Sequence, residues 1–227
     1  STFNWVNTNG NIGLAASGSG SIPTFTLLNT TTTDQNVDIS VTPIFTNGGI
    51  SCTGPTQIFS LTVNPKADVN QPADQVVCNG SATTAINFTT TNSNGTTTYA
   101  WTNSNTSIGL GAAGVGNIGA FTGTNTGTTS QVATIVVTPT YTSGGVSCTG
   151  PSKSFTITVN PSANVEQPTA QVICSSDTYS LNFTTANTCG TTTYSWTNNN
   201  TAIGLTAASG NGSIPSFTAI NSGLAPV

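Results

Sequence analysis

An all-β chain of tandem immunoglobulin-like β-sandwich repeats, each about 96 residues long with about seven strands, is predicted by three observations. Long phrases recur at a fixed spacing. Several segments alternate strictly between apolar and polar residues, the period of a strand with one buried face. The composition is rich in strand and turn formers. Threonine is roughly a fifth of the chain and there are 24 glycines, so β-branched residues supply strand surface while Asn, Gly and Pro supply the turns.

The repeat comes first, because missing one misreads the whole fold. Val63-Asn64-Pro65 returns as Val159-Asn160-Pro161, and Ser51-Cys52-Thr53-Gly54-Pro55 returns as Ser147-Cys148-Thr149-Gly150-Pro151, both after 96 residues. Trp5, Trp101 and Trp196 fall on the same grid, as do the Ile-Gly-Leu triplets beginning at Ile12, Ile108 and Ile203. With boundaries after each Asn-Pro, residues 66–161 form one whole repeat. Residues 1–65 correspond to the later part of the preceding copy, and residues 162–227 to the earlier part of the next. The expectation is therefore a window from a longer array.

Within the whole repeat, Gln75-Val76-Val77 reads as a strand leading into an Asn79-Gly80 hairpin turn. Ala85 to Thr91 follows as a strand with Ile86 and Phe88 inward. After Asn94-Gly95, Tyr99 and Trp101 share one face of the next strand. The glycine-rich stretch from Gly109 to Gly119 lacks the lysine of a phosphate loop and the strand–helix context of a dinucleotide site, so it reads as a crossover between layers. Phe121 then opens a strand. Gln131 to Pro139 places Ala133, Ile135 and Val137 on one face, and its partner Ser154 to Asn160 buries Phe155, Ile157 and Val159. The Thr142–Gly145 loop lies between these two.

Only 4% of residues are charged, with two Lys+Arg (both lysines), six Asp+Glu and no His. That shortage argues against proton transfer and phosphate binding by the usual groups. A net charge of −4 gives no basic footprint, so nucleic acid is not an expected partner. No apolar run approaches the roughly 18 residues of a membrane helix, and no membrane span is expected. Asp34, Asp38, Asp68, Asp74, Glu166 and Asp177 do not cluster as calcium or glycosidase chemistry requires. No cofactor, metal or catalytic residue is expected.

Trp5, Trp101 and Trp196, with Tyr99, Tyr194, Phe121 and Phe155, are the expected structural core. The competing reading for the tryptophans is an exposed platform that stacks on sugar rings. Cys52, Cys78, Cys148 and Cys174 lie on the repeat grid and are candidate disulfide partners. A bridge between consecutive repeats, a Cys78–Cys148 bridge within one repeat, and free thiols all stay open. Cys189 lies off the grid, where the previous copy has Asn94.

Tyr-x-Trp-Thr-Asn before Ile-Gly-Leu, Gly-x-Ile-Pro-x-Phe-Thr at 212–218, Ala-Thr-Ile-Val-Val-Thr-Pro at 133–139, Cys-Thr-Gly at 148–150 and Phe-Thr-Ile-Thr-Val-Asn-Pro at 155–161 together resemble the PKD-like repeats of Bacteroidota surface proteins exported by type IX secretion, the SprB-type gliding-motility adhesins among them. The resemblance covers the whole chain. It implies a non-catalytic, extracellular, outer-membrane-attached filament segment that serves cell adhesion and gliding motility. Implied partners are surfaces or glycans, neighbouring repeats, and the gliding and secretion machinery. The Asp-rich signature of true PKD domains is missing here, so their calcium and collagen associations are not carried over. The alternative function is a carbohydrate-binding or spacer module of a secreted polysaccharide-degrading enzyme.

Overall fold

The computed structural model describes residues 1–223, and over them the chain is all-β, interrupted only by three single-turn 3-10 helices. Residues 1–65 carry β1 (Thr2–Asn7), β2 (Ser17–Ser19), β3 (Gln35–Asn47), β4 (Ile50–Thr53) and β5 (Gln57–Val63). The middle unit carries β6 (Gln75–Cys78), β7 (Thr96–Asn103), β8 (Ala113–Val115), β9 (Gln131–Ser143), β10 (Val146–Thr149) and β11 (Lys153–Asn160). The last unit holds β12 (Thr178–Leu181), β13 (Ser195–Thr197), β14 (Ser209–Asn211) and β15 (Ile214–Thr218).

In the middle unit the sheet runs β6-β11-β9-β7-β8, with β10 also on β9. The 13-residue β9 is its hub. Its first half pairs with β11 and its last four residues with β10, while β7 covers the opposite edge. The alternation read from sequence sets the faces: Ala133, Ile135, Val137, Phe155, Ile157 and Val159 are all buried. They pack with Val69, Ile86, Phe88, Trp101, Ile108 and Ile118. The 96-residue period is repeated in space. Trp5 pairs with Val41 and Gly18 in the first unit, and Trp101 with Val137 and Gly114 in the middle one.

Three sequence expectations are corrected. Asn79-Gly80 does not close a hairpin, because β6 runs parallel to β11. After β6 the chain crosses to the other layer, where the Gly80 amide donates to the Gly123 carbonyl and the Asn79 side chain accepts from the Asn125 amide. Ala85–Thr91 is not a strand, although Ile86 and Phe88 are buried. It meets the neighbouring segment through the isolated bridge Ile86↔Ile118 and the Phe88 amide on Asn117 Oδ1, and just before it Ala82 bridges Thr122. Phe121 therefore opens no strand, and the layer facing the sheet is mostly irregular extended chain, held by scattered backbone hydrogen bonds such as the Thr83 amide on the Phe121 carbonyl and by side-chain bonds such as the Phe88 amide on Asn117 Oδ1. The strand in the glycine-rich stretch is instead β8, paired with β7.

Local chemistry explains two of the repeated motifs. In Ile-Gly-Leu, Gly109 has φ of 95° and a Cβ there would lie 2.5 Å from the Thr122 carbonyl oxygen, so only glycine fits. Two residues after each tryptophan, an asparagine pegs the following loop. Asn103 donates to the carbonyls of Leu110 and Gly111, as Asn7 does to Leu14 and Ala15 and Asn198 to Leu205 and Ala207.

Candidate functional site

The residues that join one repeat to the next form the most organised polar constellation of the chain. Asn64, just past β5, donates to the carbonyls of Ser143 (3.0 Å) and Val146 (3.2 Å) in the β9–β10 hairpin. Asp34, before β3, receives the hydroxyl of Ser143 at 2.6 Å and that of Tyr141 at 2.8 Å. The Ser93 amide donates to the Thr32 carbonyl. Pro65 and Ala67 are buried in the link, and a Cβ at Gly150 would lie 1.8 Å from the Ala67 carbonyl oxygen. Side-chain hydrogen bonds also dock the link on the middle unit, since Asn92 takes the Asp68 amide and donates to the Lys66 carbonyl.

The second junction reuses the pattern. Thr188 donates to Thr128 as Ser93 does to Thr32, positions one repeat apart. Ser130 stands where the first copy has Asp34, and its amide and hydroxyl meet the Cys189 sulfur at 3.1 and 3.3 Å. Cys189, off the grid in sequence, is thus a junction residue.

Tyr141 is fully buried, and its phenol is pushed above the ordinary tyrosine value, first by burial and then by its hydrogen bond to Asp34 and that carboxylate's charge. The folded junction holds the neutral phenol. Its contribution is therefore whole below about pH 10, the ordinary tyrosine value, and is lost as pH rises through the raised folded value. Tyr99 is raised in the same direction by burial and the Asp68 charge. Titrating the chain from pH 9 to 11.5 is accordingly expected to open the junction, measured as faster proteolysis of the 64–67 link. Tyr141→Phe is expected to flatten that rise, and an unchanged profile would refute the assignment.

The six carboxylates are dispersed. Besides Asp34, Asp38 accepts from Ser60, Asp74 from the Thr156 amide, Glu166 from Thr184 and Asp177 from the Cys174 amide, while Asp68 lies 3.8 Å from Lys153. Among the described residues no three His, Cys, Asp or Glu side chains gather as a metal site would need.

Trp5 and Trp101 are buried and Trp196 half-buried, each ring lying on a glycine: Gly18, Gly114 and Gly210. Their indole N–H groups find no acceptor within the described chain. Tyr99 and Phe121 pack at the rim of the middle core and Phe155 within it. Tyr194 lines an open cleft of about 510 Å³ with Thr192, Thr193, Ser195, Asn211 and Gly212. Its counterpart Tyr99 pairs with Pro139 of β9.

All five cysteines are free, which corrects the disulfide expectation for this chain. A Cys78–Cys148 bridge within one repeat is also excluded by register. Cys78 lies beside Asn160, one residue past the Val159↔Gln131 pair, whereas Cys148 lies opposite Tyr141. Ten residues of β9 separate those levels, roughly 30 Å at strand rise, against a limit of about 7 Å between bridged Cα atoms.

Exposed faces carry hydroxyls in cross-strand pairs. Thr42 meets Thr56 and Thr138 meets Ser152 at 2.7 Å, and Thr46–Ser51 and Thr142–Ser147 repeat the device near the hairpins. No helix among the described residues is long and apolar enough to cross a membrane. Comparison of the chain with family models, with curated proteins and with solved structures finds no match.

Proposed function

We propose that this chain is a non-catalytic segment of a long extracellular adhesin filament of the PKD-like type, attached at the outer membrane and serving adhesion and gliding. The observation that carries this reading is the recurrence of one junction: Thr32–Ser93 and Thr128–Thr188 join successive units through the same backbone contact. Units joined through one repeated contact generate a linear array, and the buried Pro65 of the first link limits bending. Such a shaft transmits force from a motor at its base. Its surface of paired Thr and Ser hydroxyls, with 4% charge, touches substrata or glycans through neutral hydrogen bonds. The partners under this reading are those surfaces, neighbouring repeats, and the secretion and gliding machinery.

Contacts between neutral groups are little screened by salt. Attachment of beads coated with the chain is expected to change less than about twofold between 20 and 500 mM NaCl, a range over which surface charge pairs lose most of their strength. A steep fall with salt would refute the reading. The carbohydrate-module alternative needs an accessible aromatic platform, and the burial of Trp5 and Trp101 favours the shaft. Saturable binding on a glycan array, abolished by Tyr194→Ala, would reverse that preference.

A further inference from the structure

The turn that leads into β7 carries a chemical instability imposed by its own packing. Asn94 sits in the left-handed region at φ 71°, which asparagine tolerates better than most side chains. Gly95 rests against β9, where a Cβ would lie 2.5 Å from Tyr141 Cζ and 2.6 Å from the Thr142 carbonyl oxygen. Only glycine fits there, and glycine is the residue whose backbone nitrogen is least shielded. Nothing ties the pair down. Asn94 is exposed, its side chain makes no hydrogen bond among the described residues, and the Gly95 amide donates to none.

Three of the other Asn-Gly pairs are held. Asn9 accepts from the Asn11 amide and donates to Gln35. Asn79 accepts from the Asn125 amide and donates to Ser162, while the Gly80 amide is on the Gly123 carbonyl. The Gly212 amide, after Asn211, donates to the Tyr194 carbonyl. The side chain of Asn47, at the β3–β4 tip, makes no hydrogen bond among the described residues and serves as a reference.

We propose that Asn94-Gly95 is a deamidation site that limits the lifetime of the junction between the first and middle units. The Gly95 nitrogen gives up its proton and attacks Asn94 Cγ. The new N–C bond closes a succinimide ring as the side-chain nitrogen leaves as ammonia. Water then opens either ring carbonyl, which leaves aspartate or isoaspartate at 94 and needs no oxidant or reductant. The neighbouring groups make this consequential. The Ser93 amide holds the Thr32 carbonyl, and the Ser93 carbonyl shares the Tyr141 phenol with Asp34, both acceptors at 2.8 Å. Isoaspartate inserts a methylene into the main chain between those bonds and the tightly packed Gly95. Either product also places a second carboxylate one residue from the group that holds Asp34, and like charges there disfavour the closed junction. The second junction has Cys189-Gly190 at this place, and cysteine has no amide to lose. Cys189 also keeps part of its surface open beside the whole middle unit, so the position is accessible at both junctions.

The test ages the full chain at mildly alkaline and at mildly acid pH and maps its peptides. At alkaline pH, aspartate and isoaspartate are expected to accumulate at Asn94 about tenfold or more faster than at Asn79, whose hydrogen bonds must open first. Asn47 is expected to keep pace with Asn94. Proteolysis of the 64–67 link in the aged chain is expected to quicken about fivefold, as for loss of one junction hydrogen bond. Ageing at acid pH, where the amide nitrogen stays protonated, should leave the link unchanged. So should Asn94→Gln, whose longer side chain closes the ring far more slowly, whereas Asn47→Gln should age as the parent does. No product at Asn94, a rate there no greater than at Asn79, or full conversion with the link cut at its original rate would overturn the proposal.

Discussion

Trp101→Ala is expected to destabilise the middle repeat by about 3–5 kcal/mol, the cost of removing a buried tryptophan ring. Gly114→Ala is expected to cost roughly 1–3 kcal/mol through the same contact approached from the other side, because overpacking against a fixed ring forces strain. A Cβ at Gly114 would lie 2.3 Å from Trp101 Cζ2 and 2.7 Å from Cε2, with the ring held in the core behind it. The two costs are coupled. With Trp101→Leu in place the alanine has room, so Gly114→Ala is expected to cost about 1 kcal/mol or less in that background, a coupling well beyond additivity error. Hydrogen exchange of the β9 amides, together with calorimetry of the full chain, reads each value. Additive costs would show that the glycine is set by the backbone and not by the ring. The same relation holds for Trp5 with Gly18 and Trp196 with Gly210.

Asn125→Leu is expected to cost about 2–4 kcal/mol, although it places an apolar residue at a buried position, because buried carbonyls lose their donors. The Asn125 amide donates to Thr129 O at 2.8 Å and Val159 O at 2.7 Å, and its Oδ1 receives the Gly127 amide. Val159 ends the core run of β11, so the asparagine ties the irregular layer to the sheet. Asn125→Asp keeps the acceptor but loses the donor, and is expected to be nearly as costly at neutral pH and milder near pH 4, where the acid protonates. Equal loss for Asp at both pH values would refute a hydrogen-bonding role. Asn29 makes the matching bonds to Thr33 and Val63 in the first unit.

Much of the frame was legible in the residues. The period of two in Ser154–Asn160 and Gln131–Pro139 placed six core side chains correctly, because alternation along an extended chain is a local property. Ile86 and Phe88 were legible as core but not as irregular chain, since burial follows hydrophobicity while strand pairing needs a neighbour at the right edge. The Asn79-Gly80 pair has hairpin chemistry, yet the neighbour that decides its role is Gly123, over forty residues away. The asparagine pegs were hidden by abundance. In a chain so rich in Asn, position on the 96-residue grid was the one signal that marked Asn103 and Asn125, and their carbonyl partners lie in other segments. Asp34 looked like an isolated acid because its partners Tyr141 and Ser143 are more than a hundred residues on.

By itself, then, the order of residues determined the repeat, its all-β character, the inward faces of β9 and β11 and the neutral surface. Each of these follows from local chemistry or from copying. Tertiary structure decided the parallel path of β6, the irregular second layer, the free state of the cysteines and the junctions built on Asp34, Tyr141, Asn64 and Cys189. The physical reason is common to all four. Each depends on which distant groups arrive within hydrogen-bond or covalent reach, and that is a property of the folded register.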